Sequence, residues 1–189
     1  MLPDDPTAPG VLSAALTPAL ATALERQVTG VPDAEVVGLG VFTDADATSI
    51  VAVANTRAHL DAMVAAKPRY AADQVWDMGA WWTPARDTPP REPDPLRGFE
   101  AAFGQVHDRL QGDAAVGAPV MASRRFIWDA ILTALVDLRA RGFFARWPNA
   151  VIEMDAYDAE IDFEEIADWG DRLNPPEVAR GFRAFLGIA

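Results

Sequence analysis

The chain has 189 residues, of which 50% are hydrophobic and 23% charged, a composition typical of folded globular proteins and not of disordered ones. Its formal net charge of −12 argues against nucleic acid as a direct partner, because phosphate binding needs clustered Lys and Arg, and it is compatible with a basic protein partner. The chain has no Cys, no apolar run near the ~20 residues that span a bilayer, and an acidic, Pro-rich start instead of a signal peptide. We therefore expect a cytoplasmic protein without disulfides or thiolate chemistry.

The length predicts a single globular domain over residues 1–189, large enough to bury a substantial core. Residues 1–10 are predicted to form a loose lead-in. Apolar residues then recur at helical spacing from Val11 to Thr29, and Gly30 follows as a stop signal. Because Pro18 fits the first turn of a helix, the helix begins either near the start of this stretch or at the proline.

The stretch from 35 to 55, EVVGLGVFTDADATSIVAVAN, is predicted to be an antiparallel hairpin around which the fold is organised. Two runs rich in Val, Ile and Phe flank a four-residue turn that begins at Asp44. Both faces of each arm are apolar, so we expect another layer of structure on each side of the hairpin. Gly38 and Gly40 leave shallow places where another backbone can approach closely.

Three elements are predicted after the hairpin. Thr56 can cap a helix that runs to about Ala66. The aromatic, partly alternating residues 73–80 predict a third strand. The segment 83–97 holds five of the fifteen prolines and is predicted to be a surface loop. An amphipathic helix is predicted over 95–111, beginning at the end of this loop.

A long buried helix is predicted from Ser123 to about Arg141, because its apolar residues cover more than half of its circumference. A short strand follows at 150–154, and two further helices are predicted in the acidic stretch after it and at the end of the chain. The predicted fold class is α+β: an antiparallel sheet of three to four strands, seeded by the hairpin and packed by several α-helices. Antiparallel pairing is favoured because the hairpin turn is too short for a parallel crossover.

The turn of the hairpin resembles the first motif of haloacid-dehalogenase-type phosphatases, in which a hydrophobic strand ends in D-x-D-x-T. This resemblance implies a Mg²⁺-dependent phosphatase with Asp44 as nucleophile and Asp46 as general acid. Asp171 resembles part of a later acidic motif of the same family. Against the resemblance, Asp171 follows a helical pattern, and Lys67, the single lysine, does not lie shortly before that motif. The βαβ alternation of a parallel sheet is also missing. The simpler interpretation is a turn whose aspartates hydrogen-bond to their own backbone.

No other catalytic or metal-binding set emerges from the sequence. Ser13, Ser49 and Ser123 lack the context of a nucleophile elbow. His59 and His107 fall within predicted helices without the spacing of a metal pair, so they are interpreted as partly exposed helix residues. The many acidic residues always offer pairs for a glycosidase, but nothing selects one of them. We therefore predict no metal, no cofactor and no enzymatic activity.

Two features favour protein binding. Trp76, Trp81 and Trp82 cluster beside the Pro-rich loop, where they form either core packing or an aromatic anchor for a partner. The segment 151–172 has nine acidic residues and one basic residue, which gives it a net charge of −8 out of the total of −12. It is either a solvated face or a docking surface for a basic protein. The predicted partner-binding residues are Asp155, Asp158, Glu160, Asp162, Glu164, Glu165, Asp168, Trp81 and Trp82.

Several landmarks occur together in a fixed order along the chain. They are a strand ending in Phe42-Thr43-Asp44, Ala54-Asn55 followed by His59-Leu60, the Trp-rich stretch 76–82, the helix end from Leu138 to Phe144 that closes in GFF, Asp155 and Asp158, and Leu173-Asn174-Pro175. Over roughly residues 11–185 this order resembles a bacterial family of small uncharacterised α+β domains that are often encoded near polymorphic toxins. The resemblance implies an immunity protein, a role inferred from that genomic context, and carries over no catalytic residues. The Pro-rich insert after Trp82 departs from the family pattern.

The leading prediction is a non-enzymatic cytoplasmic protein-binding domain, acting as an immunity protein that neutralises a toxin through its acidic face. The alternatives are the phosphatase that uses Asp44 and Asp46, and a structural or regulatory subunit. No membrane association is predicted. Neither the partner's identity nor the oligomeric state follows from these residues.

Overall fold

The computed structural model describes residues 5–8, 10–71, 73–81, 93–112 and 116–188, which form an α+β fold, as predicted. One sheet has three strands in the order β2-β1-β3: β1 (Val36–Asp44), β2 (Ile50–Thr56) and β3 (Val151–Tyr157). The α-helices of this part of the chain are α1 (Val11–Gln27), α2 (Arg57–Ala66), α3 (Phe99–Gln111), α4 (Ala118–Ala140), α5 (Phe163–Leu173) and α6 (Pro176–Phe185). Among the described residues, no helix combines the length and the apolar character that crossing a membrane requires.

The predicted hairpin is confirmed: β1 and β2 pair antiparallel, with Leu39 opposite Ala54 and Val41 opposite Ala52. Successive side chains point to opposite faces of the sheet. The first face carries Leu39, Val41, Ala52, Ala54, Ile152 and Met154. The second face carries Gly38, Gly40 and Phe42 of β1, Val51, Val53 and Asn55 of β2, and Val151, Glu153 and Asp155 of β3. Most of β1 is buried, so both faces are covered as the sequence predicts.

β3 lies beside β1 and runs parallel to it, so the sheet is mixed and not wholly antiparallel. The argument that a short turn favours antiparallel pairing concerns only β1 and β2, which the turn connects. Between β2 and β3 the chain passes through α2, α3 and α4, which is long enough for the crossover that parallel strands need. The strand predicted at 150–154 is confirmed and continues to Tyr157.

The prediction of a strand at 73–80 is wrong, because two short 3-10 helices, Asp73–Val75 and Met78–Ala80, occupy this segment. The segment lies across the second face of the sheet, where the side chains of Met78 and Trp81 are buried. Its backbone groups hydrogen-bond locally and do not join the sheet. The two buried side chains are three residues apart, which is the spacing of a 3-10 turn and not that of a strand.

Helices α1, α3 and α4 supply the apolar side chains that cover the first face. α4 has the wide buried stripe that the sequence predicts: Val120, Ser123, Ile127, Trp128, Ala130, Ile131, Leu132, Ala134, Leu135 and Leu138. It begins at Ala118 and not at the predicted cap Ser123, because Pro119 in the first turn suits an earlier start. α1 likewise runs through Pro18 without ending there.

Helices α5 and α6 follow β3 and pack on each other. Phe182 of α6 lies against Gly170 of α5, where a Cβ atom would collide with its ring. The same phenyl ring is 5.5 Å from the ring of Trp76, measured between centroids. This contact joins the two 3-10 helices on the second face to α6.

Part of the predicted Pro-rich loop at 83–97 can be described. Residues 82–92 lie outside the described ranges. At the end of the loop, Arg26 of α1 donates a hydrogen bond of 2.7 Å to the carbonyl of Pro93, and Leu96 is buried. This end of the loop is thus attached to the core.

Candidate functional site

The nine acidic residues of the segment 151–172 fall into three groups. The first group lies on the second face of the sheet: Glu153 and Asp155. The second group is exposed in the loop between β3 and α5: Asp158, Glu160 and Asp162. The third group lies on α5: Glu164, Glu165, Asp168 and Asp171. The acidic face predicted from the sequence is therefore divided into parts with different surroundings.

The loop of residues 157–163, called the acidic loop below, carries the second group between two exposed aromatic side chains. Tyr157 is 60% exposed and Phe163 is 61% exposed. Ala159 and Ile161 pack against the main core, while the acidic residues at the alternate positions are exposed. Backbone hydrogen bonds of 3.1 and 2.9 Å, donated by the N–H groups of these two apolar residues, hold the loop in this form. Within the described part of the chain, no salt bridge engages its three acids.

The third group is paired with arginines from neighbouring helices. Arg183 of α6 forms salt bridges of 3.3, 2.9 and 2.7 Å with three carboxylates: Glu164, Asp168 and Asp171. Arg125 of α4 pairs with Glu165 at 2.8 Å. Four acids of the predicted acidic face therefore help to join α5 to its neighbouring helices. Three of these acids, Glu164, Glu165 and Asp168, are among the predicted partner-binding residues.

On the second face, Trp81 and Met78 lie over the two glycines of β1. A Cβ atom at Gly38 would be 2.8 Å from the indole ring of Trp81, and one at Gly40 would collide with the Sδ atom of Met78. The predicted close approach to the glycines is thus made by side chains and not by another backbone. Trp81 is 3% exposed, so it packs in the interior and presents no surface to a partner. Trp82, the other predicted anchor, lies outside the described residues.

Polar atoms without partners are buried on the same face. Glu153 is 3% exposed, and its Oε1 atom has no hydrogen-bond partner among the described residues. The Oδ1 atom of Asn55 and the Nε1 atom of Trp81 are buried and unpartnered in the same sense. Each unsatisfied buried polar group costs roughly 1–3 kcal/mol. Such groups are rare in folded proteins, and their concentration here marks a candidate site.

Two more carboxylates act on Glu153. Asp155 follows it on the second face, and Asp77 immediately precedes the second 3-10 helix. Burial raises the pKa of Glu153 well above its ordinary value, and the charges of Asp155 and Asp77 raise it further. Burial also raises the pKa of Asp155. A hydrogen bond from the backbone of Ala156 lowers this pKa in part, and the charge of Asp77 raises it. The site therefore brings together three carboxyl groups, and the surroundings of two of them disfavour ionisation.

Metal binding is not supported at this site. In the described ranges, no group of three or more His, Cys, Asp or Glu side chains is arranged to hold a metal ion. The acceptors of the second face suit a ligand that brings its own hydrogen-bond donors.

Asp44 and Asp46, the residues of the phosphatase alternative, are engaged close to the hairpin turn. Asp44 accepts hydrogen bonds of 3.0 Å from the backbone N–H groups of Asp46 and Thr48, and further ones from the hydroxyls of Thr48 and Ser49. Partial burial opposes its ionisation, but the hydrogen bonds, led by that from Ser49, hold the pKa of Asp44 below its ordinary value. Asp46 pairs with Arg124. The turn thus hydrogen-bonds its own backbone, as predicted.

Both histidines are half-buried and join elements together. His107 has its Nδ1 atom 2.9 Å from the Oγ atom of Ser123 and its Nε2 atom 3.2 Å from the carbonyl of Ala47. Ser123 is fully buried, and its hydroxyl donates to a carbonyl of its own helix at 2.8 Å, so a substrate cannot reach it. His59 lies with Nε2 3.0 Å from the carbonyl of Ala80, which fastens the second 3-10 helix to α2.

Three residues of this site, Glu153, Asn55 and Asp77, are not among the site residues predicted from the sequence. Glu153 had a usable signal, because it is a charged residue inside the otherwise apolar run from Val151 to Met154. Asn55 had none, since an Asn at the end of a strand and before a helix cap is unremarkable. Asp77 carried no signal either, because its segment was predicted to be a strand.

The comparisons with known proteins bear on the family alone. No curated protein and no solved structure shows significant similarity to this chain. A family model described as a domain of unknown function, DUF4303, matches residues 16–175, a range that includes the whole sheet and α2 to α5. Because the match covers most of the chain, the protein belongs to the DUF4303 family.

Proposed function

We propose that this protein is a non-enzymatic, cytoplasmic protein-binding domain that takes a basic protein surface on its acidic loop. The observation that carries the proposal is the exposure, in residues 157–163, of three acids that no salt bridge of the described residues engages, between two exposed aromatic side chains. Charged groups steer a partner of opposite sign and fix its register, while aromatic side chains supply most of the binding energy at interfaces. The acidic loop combines both.

The loop is also suited to binding because its shape is set before a partner arrives. Ala159 and Ile161 are packed against the core, so the alternating acids need little ordering on binding. Preorganisation of this kind raises affinity by reducing the entropy lost on association. The salt bridges of Arg183 and Arg125 engage the four neighbouring acids of α5, whereas no salt bridge of the described residues engages the acids of the loop.

The specific role we propose is that of an immunity protein, which neutralises a toxin by covering part of its surface. Its support is the resemblance to domains encoded near polymorphic toxins, together with the charge of the loop. A toxin that acts on nucleic acid needs a basic surface, which an acidic loop complements.

Charge reversal tests the proposal. The loop variant is Asp158→Lys, Glu160→Lys and Asp162→Lys, and the matched control is Asp61→Lys, Asp108→Lys and Asp129→Lys, three exposed helix residues of the same charge. Affinity is measured by titration calorimetry against the purified products of the adjacent genes, at two salt concentrations. We expect the loop variant to bind roughly 10- to 100-fold more weakly and to lose most of the salt dependence, with a much smaller loss in the control.

Equal losses in the two variants would reduce the effect to net charge and contradict a site at the loop. Unchanged binding in the loop variant would remove the acidic loop from the interface. Self-association of the wild-type protein without binding to any neighbouring gene product would favour the structural or regulatory alternative.

A further inference from the structure

The second face of the sheet has a set of acceptors that no described group satisfies. Glu153 and Asn55 are 3% and 1% exposed, and each keeps an oxygen atom with no hydrogen-bond partner among the described residues. In the sheet they belong to adjacent rows: Asn55 pairs with Gly38, and Glu153 pairs with Gly40. Both oxygens are hydrogen-bond acceptors, so a ligand suited to this place is one that brings N–H groups.

Three carboxylates extend from this interior point towards solvent. Glu153 is buried, Asp155 is half-buried, and Asp77 is exposed. The salt bridges of the described residues include none of the three. Asp155 and Asp77 disfavour the ionised form of Glu153, and a bound cation would have the opposite effect on all three carboxyl groups.

We propose that Glu153, Asp155 and Asp77 form a binding site for a guanidinium group. A planar guanidinium presents five N–H donors over a wide fork and can donate to more than one carboxylate at once. It also stacks on aromatic rings, and Phe42 lies in the same row of the second face as Asp155. An ammonium group is a compact point charge and spans fewer of these acceptors.

This site is separate from the acidic loop and does not depend on the proposed function. Its ligand is either an arginine side chain of a protein or a small guanidine, and both offer the same chemistry. Because the pKa of Glu153 is raised, the cation must displace the proton of this carboxyl, so binding should strengthen as the pH rises.

The test is a titration of the ¹⁵N-labelled full chain with ethylguanidinium chloride at low millimolar concentrations, below the denaturing range. N-ethylurea, a neutral analogue of similar shape, is the control probe. We expect saturable shifts of the amides of Gly40, Phe42 and Glu153, at least tenfold weaker binding in Glu153→Gln and Asp155→Asn, and unchanged binding in Asp129→Asn on the far side of the fold. The loop variant Asp158→Lys, Glu160→Lys and Asp162→Lys should keep the binding, which separates this result from that of the proposed function.

A second titration identifies the source of the group. A blocked peptide Gly-Arg-Gly that binds tenfold more tightly than ethylguanidinium supports an arginine of a protein, and the reverse order supports a small guanidine. The proposal is overturned if the amides of Gly40, Phe42 and Glu153 show no saturable shift, or if N-ethylurea binds as tightly as ethylguanidinium. It is also overturned if Glu153→Gln and Asp155→Asn bind ethylguanidinium as tightly as the wild type does.

Discussion

Asn174 completes the hydrogen bonds of Ile152 at the open edge of the sheet. Its Oδ1 atom accepts from the N–H of Ile152 at 2.8 Å, and its Nδ2 atom donates to the carbonyl of the same residue at 2.6 Å. β3 is an edge strand, so these two backbone groups have no neighbouring strand to pair with. The side chain of Asn174 therefore acts as a one-residue substitute for a fourth strand, and it also bonds to the carbonyl of Gly170 at 3.1 Å.

Replacing Asn174 with Ala should destabilise the protein by roughly 2–5 kcal/mol, because it leaves two buried backbone groups of Ile152 without partners. The measurement is urea unfolding followed by circular dichroism. Asn149→Ala is the matched control: its amide is exposed and bonds to the carbonyl of Ala34 at 3.4 Å, so we expect a change below about 0.5 kcal/mol. Similar losses in the two variants would contradict the role of Asn174 at the edge.

Gly38→Ala should destabilise the protein by roughly 1–3 kcal/mol, because the added methyl group would lie 2.8 Å from the ring of Trp81 and displace it. Gly104→Ala provides the control, since this glycine lies in α3 with no atom within 4 Å of a Cβ atom. There we expect a gain of roughly 0.5–1 kcal/mol from the lower entropy of the unfolded chain. A neutral Gly38→Ala would mean that the indole ring moves at no cost.

The buried carboxyl of Glu153 should make stability fall as the pH rises. Its folded-state pKa is raised by burial and by Asp155 and Asp77, while in the unfolded chain it returns to an ordinary value of about 4.3. The protonated form is therefore favoured by folding, and its stabilising contribution is complete below the unfolded pKa and is lost as pH rises through the folded pKa. The free energy of unfolding should decline by about 1.4 kcal/mol per pH unit between these two values.

Glu153→Gln removes this titration, so its unfolding free energy should change less with pH and exceed that of the wild type at pH 7 to 9. Denaturant unfolding at pH 5, 7 and 9 provides the comparison. The exposed variant Glu35→Gln should follow the wild-type curve. Parallel curves for Glu153→Gln and the wild type would show that the glutamate is ionised at no cost.

Asp44→Ala should destabilise the hairpin turn by roughly 1–3 kcal/mol, since the turn loses the acceptor of its backbone and hydroxyl hydrogen bonds. The pKa of Asp44 is lowered in the folded protein, so its contribution is present above the unfolded pKa and is lost as pH falls through the folded one. Acid unfolding should therefore be less steep in the variant. Equal steepness would contradict the assigned bonds.

The same residue tests the phosphatase alternative. With Mg²⁺ and an aryl phosphate, we expect the wild type and Asp44→Asn to show the same background rate of hydrolysis. The reason is that both carboxylate oxygens of Asp44 are occupied within the turn. Turnover that depends on Asp44 would establish the enzyme in place of the binding domain.

Local signals in the sequence were sufficient for the elements whose bonds lie within a few residues. The period of apolar residues marked α1 and α4, Thr56 marked the start of α2, and the Asp-rich turn at Asp44 was interpreted correctly. Helix periodicity, caps and turns are determined by neighbours in the chain, so they can be predicted from it. The starts of α3 and α4 differ from the prediction, because their N-cap residues, Gly98 and Gly117, make no side-chain cap hydrogen bond that the sequence could signal.

By itself, then, the sequence determined the fold class, the hairpin and the excess of acid in 151–172. Only the tertiary structure decided the direction of β3, the helical form of the segment around Met78, and which acids remain unpaired. Arg183 pairs with three acids of α5 from a separate helix, and Met78 and Trp81 cover the glycines of β1 on the face of the sheet where Glu153 is buried. Strand pairing, burial and charge neutralisation depend on contacts between residues that are distant in the chain, and no local pattern specifies them.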